Sequence, residues 1–172
     1  LGAYYAYTAF CEQKGLQATE ISAYKKKNFG KFLGTFYNET NENKSLKADT
    51  VDAYYPQSKN VKVTYEDVNG KKYKGSVITN ASDYGVSMKY LAFINGDQPF
   101  MTIQNKDKHD GTSCIVVKES FGNAFVPFLV DHYETIYVID YRYWQGKLSQ
   151  FVKKKRAKEV IPQIAEGKVI LH

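Results

Sequence analysis

The chain has 172 residues, 43% of them hydrophobic and 24% charged, with a formal net charge of +6 and a pI of about 9.1. That length suits one α/β-sized domain over 1–172, and that apolar fraction excludes a disordered chain. No stretch is long and apolar enough to cross a membrane, and neither cysteine has metal-ligand spacing to a second Cys or His, so no transmembrane segment, metal or cofactor is expected.

The positive charge is scattered. Its dense runs, Lys25–Lys27 and Lys153–Arg156, fit solvated helix or loop faces, and no nucleic-acid signature accompanies them, so no nucleic-acid partner is expected. Cys11 and Cys114 lie among apolar residues and read as buried free thiols. The 15 tyrosines suit half-buried surfaces and sugar-facing clefts, and genome bias explains them equally well. No signal peptide is present, and Leu1 opens on a helical pattern without an N-cap, which reads as a chain continuing from something longer.

Residues 3–14 predict an amphipathic helix closed by Gly15. A second helical signal covers 19–29, and 32–37 reads as extended. Residues 38–47 form a polar loop, and 51–55 a strand before Pro56. Val61–Tyr65 alternates apolar and polar residues, Asp67–Gly70 supplies an Asn-Gly turn, and Lys72–Ile78 returns. This is an antiparallel hairpin, expected as an insertion at about 51–80 that decorates the main sheet. Cys114–Lys118 is a near-continuous apolar run, the mark of a strand buried on both faces. A helix over 123–133 broken only by Pro127, a strand over 134–140, a helix over 148–156 and a third strand ended by Pro162 follow. Strand, helix, strand, helix implies right-handed parallel crossovers, hence a three-layer α/β fold with a parallel sheet.

Ser120 sits where the buried strand hands over to a helix, at the carboxyl end of a strand, where α/β sheets build their sites. Free N–H groups there can hold an oxyanion, and Gly122 lets the backbone approach a substrate. A simple helix N-cap is the competing role for Ser120. A Ser nucleophile needs a base, and none of the three histidines fits. His109 lies at the amino edge, His132 at the far end of the expected helix, and His172 is the last residue. The turn Phe93–Pro99 offers N–H groups or the Asn95 amide to an oxyanion, or is an ordinary turn. Asp140 and Arg142 follow the second buried strand; Arg142 either binds an acyl or carboxylate oxygen or pairs structurally with Asp140, while Tyr143 and Trp144 either stack on a sugar or pack.

The segment Val117–Leu129, with Tyr133 and the block Tyr137–Tyr143, resembles the DHHW family of Gram-positive bacteria, SGNH-hydrolase-like proteins similar to the catalytic domains of bacterial alginate O-acetyltransferases. The opening Leu1–Tyr7 resembles the stretch directly after the Asp-His-His-Trp motif that names the family. The resemblance implies an SGNH-hydrolase-like (flavodoxin-like) three-layer sheet, with Ser120 matching the nucleophile and its His and Asp partners belonging upstream of Leu1. It places Gly96 in the oxyanion region, where Asn95-Gly96-Asp97 departs from the family's Gly-Gly-Asn/Asp turn. Gly122 and Asn123 join as oxyanion or substrate-binding residues, and Asp140 and Arg142 match an Asp-x-Arg block near the site. It further implies a cell-surface or extracellular O-acyl esterase or O-acetyltransferase, with a polysaccharide or acylated glycan as partner. The alternative is a non-catalytic glycan-binding module or pseudoenzyme of the same fold.

Overall fold

Helix α1 forms over Gly2–Lys14 and buries Tyr7, Phe10 and Cys11, spaced three and four residues apart on one face. Gly15 ends it in the left-handed region at φ 64, where an L side chain would be strained. The Gly15 N–H then reaches the Glu12 carbonyl at 3.1 Å, and the Leu16 N–H reaches that of Cys11 at 2.9 Å. The computed structural model describes residues 1–40 and 45–163.

The helical signal over 19–29 is overridden. A 3-10 turn, Ile21–Ala23, leads into strand β1, Lys25–Phe32, which pairs antiparallel with β2, Asp49–Tyr55. The physical reason lies in Asn28 and Gly30. The Asn28 side chain accepts from the Gly30 N–H at 2.8 Å, Gly30 takes φ 85, and a bulge forms between Asn28 and Lys31. The lysine run 25–27 thus lies on a strand, where Lys26 pairs with Asp52 at 2.9 Å. The extended stretch expected over 32–37 gives way to a 3-10 turn at Thr35–Thr40, and part of the expected loop 38–47 lies outside the described residues.

The hairpin forms as β3, Val61–Glu66, and β4, Lys72–Gly75. Its turn is held by the Asp67 carboxylate, which accepts from the N–H groups of Asn69 (2.9 Å) and Lys71 (3.0 Å), while Gly70 takes φ 76. It does not stand off as a decoration, because β3 pairs with β5, Phe100–Asn105, and the hairpin is the flank of the main sheet. Residues 51–55 belong instead to the small β1–β2 sheet. Strand β6, Ser113–Lys118, a 3-10 turn, Ser120–Ala124, and the short helix α2, Val126–Leu129, follow. The helical stretch expected over 123–133, interrupted at Pro127, is instead two short pieces parted at Phe125, with Pro127 in the first turn of α2, where its missing N–H costs nothing. Then come β7, Thr135–Asp140, helix α3, Leu148–Lys155, and β8, Glu159–Gln163. Pro162 does not end β8, which flanks β6 and needs no donor on its outer side.

The six strands run in the order β4-β3-β5-β7-β6-β8. The sheet is mixed. Parallel pairing is confined to β7-β6-β8, and β5 runs antiparallel to β7. The fold is thus mixed α/β. One face, with Val63, Met101, Ile103, Val116, Ile136 and Val138, packs under α1 and α2. Phe128 anchors that layer, with ring centroids 5.4 Å from Tyr7, 5.3 Å from Tyr24 and 5.6 Å from Tyr4. Truncating such a buried ring costs about 3–5 kcal/mol. On the other face Phe100 and Tyr137 meet Phe151 of α3 at 5.4 and 5.5 Å. The Lys153–Lys155 run fills the last turn of α3, as a solvated helix end.

Candidate functional site

Strand direction decides which residues meet. The ends of β6 and β7 lie side by side, with Lys118 opposite Asp140. Because β5 is antiparallel to β7, its start lies there too, and the Asp140 N–H donates to the Pro99 carbonyl at 3.1 Å. This delivers the 94–98 turn and the Ser120 turn to the same end of the sheet.

Ser120 opens the 3-10 turn just past β6, half-buried. Among the described residues its hydroxyl takes part in no hydrogen bond, and the turn has no side-chain cap. The N–H groups of Ser120 and Phe121 make no backbone hydrogen bond among those residues, whereas that of Gly122 returns to Glu119 at 3.0 Å. A Cβ on Gly122 would stand 2.5 Å from the Lys118 Cβ, so the turn rests directly on the Lys118 stem.

Beneath the turn lies a closed set of charges. Lys118, 1% exposed, places Nζ 2.8 Å from Asp140 Oδ2 and 3.6 Å from Asp97 Oδ1. Arg142 donates through Nε to Asp140 Oδ1 at 2.9 Å and through Nη2 to Asp140 Oδ2 at 2.7 Å, and reaches Asp97 Oδ2 at 2.9 Å. Asn123 Nδ2 donates to Asp97 Oδ1 at 2.7 Å, and its own Oδ1 is buried without a partner among the described residues. Lys118 and Arg142 balance Asp97 and Asp140. Burial pushes the Asp140 carboxyl up, but Arg142 and Lys118 outweigh it and hold it below the usual carboxylate range. The guanidinium of Arg142 is raised, first by its bonds to Asp140.

Sequence reasoning named Asp140, Arg142 and Asn123 but gave no role to Lys118 or Asp97. Lysine at the end of an apolar strand was the available signal, since a buried lysine needs a carboxylate.

The 94–98 turn is strained: Ile94, Asn95 and Gly96 take φ 44, 60 and 75. Asn95 Oδ1 accepts from the Ser76 N–H at 2.8 Å, and its carbonyl accepts from Gln98 Nε2 at 3.0 Å. The Gly96 N–H closes the turn onto the Phe93 carbonyl at 2.9 Å. Trp144 packs on Phe151 at 5.7 Å, and Arg142 lies 5.1 Å from the Tyr143 ring.

A cleft of about 410 Å³ opens beside the Ser120 turn, and Ser120 itself is not among its lining residues. Phe121, Ala124, Leu1, Tyr4, Tyr54 and Tyr90 are among the residues that line it. Phe121 is 70% exposed, and its carbonyl accepts from the Tyr90 hydroxyl at 3.2 Å. Burial, with Asp97 adding, pushes the Tyr90 hydroxyl up to about 12.

The histidines lie elsewhere. His109 is exposed in the β5–β6 connection. His132 lies just before β7, at the amino end, with Nε2 2.6 Å from the Tyr7 hydroxyl, and burial lowers its pKa. His172 lies outside the described residues. No group of three or more His, Cys, Asp or Glu suited to a metal occurs among the described residues.

A family model described as DHHW protein matches residues 1–139. Among solved structures, a DHHW family protein from Eubacterium siraeum superposes with a TM-score of 0.82 at 33% identity, covering 95% of this chain and 55% of that one. PatB1 of Bacillus cereus, solved with a sulfonyl adduct, gives 0.76 at 19% identity, covering 95% and 56%. A second PatB1 structure gives 0.71 at 20%, with the same coverage, and at such identities both show the fold alone. The chain thus spans just over half the length of these proteins, and no curated protein matches it. By the family match and the likeness to the Eubacterium protein, the chain belongs to the DHHW family.

Proposed function

We propose that this chain is the Ser-bearing part of an SGNH-type O-acyl esterase or O-acetyltransferase, acting on a polysaccharide at or beyond the cell surface, with Ser120 as nucleophile. The observation that carries it is the Ser120 hydroxyl, unpartnered among the described residues, at the carboxyl end of β6 beside an aromatic cleft. The parallel β7-β6-β8 unit, with helices on both faces, is the part of the sheet that fits an SGNH-like three-layer description. Leu1 lines the same cleft as Phe121, so an upstream His and Asp would enter close to Ser120. A sulfonyl group is an electrophile that an activated hydroxyl attacks, which fits the adduct recorded for PatB1.

In the first step the imidazole takes the Ser120 proton while Oγ bonds to the acyl carbon. The oxyanion lies against the N–H groups of Ser120 and Phe121, which make no backbone hydrogen bond among the described residues, with the 94–98 turn nearby. The carbon–oxygen bond to the alcohol then breaks, and the alcohol leaves with the proton. Water or a sugar hydroxyl next bonds to the acyl carbon, loses its proton to the imidazole, and Ser120 leaves protonated.

The test is turnover of acetyl esters by the full-length protein, with intact-mass detection of an acyl adduct on Ser120. Ester turnover with the adduct mapped to Ser120 supports the reading. A protein that binds glycan, turns over no ester and is indifferent to Ser120→Ala would instead be a binding module.

A further inference from the structure

We infer that the charge ring of Lys118, Asp140, Arg142 and Asp97, buried at Lys118 and Asp140, is a positioning device for the Ser120 turn, with Lys118 as its positioning residue. The inference rests on the reading of Ser120 as nucleophile.

The ring joins every segment that surrounds Ser120. Lys118 comes from the end of β6, Asp140 and Arg142 from the end of β7, and Asp97 from the strained turn before β5. Asp97 in turn grips Asn123, three residues past Ser120. Lys118 lies two residues before Ser120, and its stem fills the space beneath Gly122, within 3.3 Å of where a Cβ there would stand at Cγ and Cδ. The turn is thus fixed at both ends by one network: its Gly122 floor is the Lys118 stem, and its Asn123 tether is Asp97.

Stability alone does not account for the Lys118–Asp140 pair at the heart of this ring, 1% and 0% exposed. A buried ion pair commonly contributes no more than apolar residues of the same volume, because both ions lose their water. What charges supply and methyl groups do not is direction. Three nitrogens and four carboxylate oxygens here admit one mutual arrangement. Lys118 is too buried to touch a substrate, so its influence on the reaction passes through the turn.

The experiment uses the full-length protein with 4-nitrophenyl acetate as substrate. Lys118→Met keeps the stem under Gly122 and removes the ammonium. We expect kcat to fall about 100-fold, the cost of about 1 Å of misplacement, with KM within twofold of wild type. Modification of Ser120 by a sulfonyl fluoride should slow in parallel with kcat. Asp97→Asn keeps an acceptor for Asn123 while removing the charge facing Lys118 and Arg142, and should lower kcat about tenfold, again at constant KM. This second variant decides the matter if Lys118→Met does not fold. Wild-type kcat in a folded variant, or a rise in KM alone, overturns the positioning role while Ser120→Ala stays inactive. Full activity in Ser120→Ala overturns the nucleophile reading itself, and this inference with it.

Discussion

The two ends of the sheet treat polar groups in opposite ways. At the amino end they are spent on closing loops. The Asp131 carboxylate accepts from the Gln57 N–H, the Ser58 N–H and the Ser58 hydroxyl, and Asp107 does the same for Lys59 and Asn60. His132 is occupied by Tyr7, and Tyr133 donates to Glu159 at 2.5 Å. Among the described residues the Tyr24 hydroxyl is buried without a hydrogen-bond partner. At the carboxyl end, among the described residues, the Ser120 hydroxyl and the Asn123 side-chain Oδ1 stay unpartnered above a fully paired charge ring. Unspent polarity over rigid support is what a reactive site requires, and spent polarity is what a fold requires.

That contrast can be broken by mutation. The largest effect is expected from Ser120→Ala in the full-length protein: loss of ester turnover by about 10⁴-fold or more. Its melting temperature should move by about 2 °C or less, since no hydrogen bond is lost, and a large drop measured by calorimetry would make Ser120 a structural cap. Gly122→Ala comes next. The added methyl meets the Lys118 stem, so we expect about 1–3 kcal/mol of destabilisation in urea titration together with a tenfold or greater loss of kcat. Unchanged kcat would show that the turn tolerates displacement. At the amino end, Asp131→Ala should cost about 1–3 kcal/mol by the same titration while kcat stays within twofold. A matching loss of activity would erase the distinction between the two ends.

The smallest effect is a pH dependence. Burial holds the folded-state pKa of His132 below its ordinary value, so folding disfavours its proton. The associated stability is fully present above the unfolded value of about 6.5 and is lost as pH falls from there toward the folded value. Thermal melts from neutral to mildly acidic pH should show this decline, and His132→Gln should flatten it. A decline of equal slope in the variant would assign the dependence to other groups.

Much of the fold was legible because it is local. The Gly15 stop of α1, the Asp67–Gly70 turn and the apolar runs of β6 and β7 are each written in a few consecutive residues. Strand β5 was not, because Phe100-Met101-Thr102-Ile103-Gln104-Asn105 alternates without flanking signals as strong as those of the hairpin. Missing it had consequences. Without an antiparallel β5 the hairpin looks like an insertion, the sheet looks parallel, and nothing brings Asp97 to Arg142. Lys25–Lys27 misled for a related reason. Lysine favours helix in isolation, and only pairing with β2 and the bulge at Gly30 make the segment a strand. At the site, Ser120, Asp140 and Arg142 could be placed from strand ends alone, whereas the roles of Lys118 and Asp97 exist only once three strand ends converge.

The left-handed run at 94–96 couples distant parts of the chain. A β-branched residue at φ 44 does not hold that conformation unaided, and Ile94 is kept there by its N–H bond to the Val77 carbonyl, 2.9 Å, and by near-complete burial. Asn95 Oδ1 accepts from the Ser76 N–H, and any side chain at Gly75 would collide with that same Oδ1, 2.5 Å from where its Cβ would stand. The outermost strand of the hairpin therefore acts as a splint for the loop that presents Asp97, so a change at residue 75 reaches a carboxylate 22 positions further along the chain.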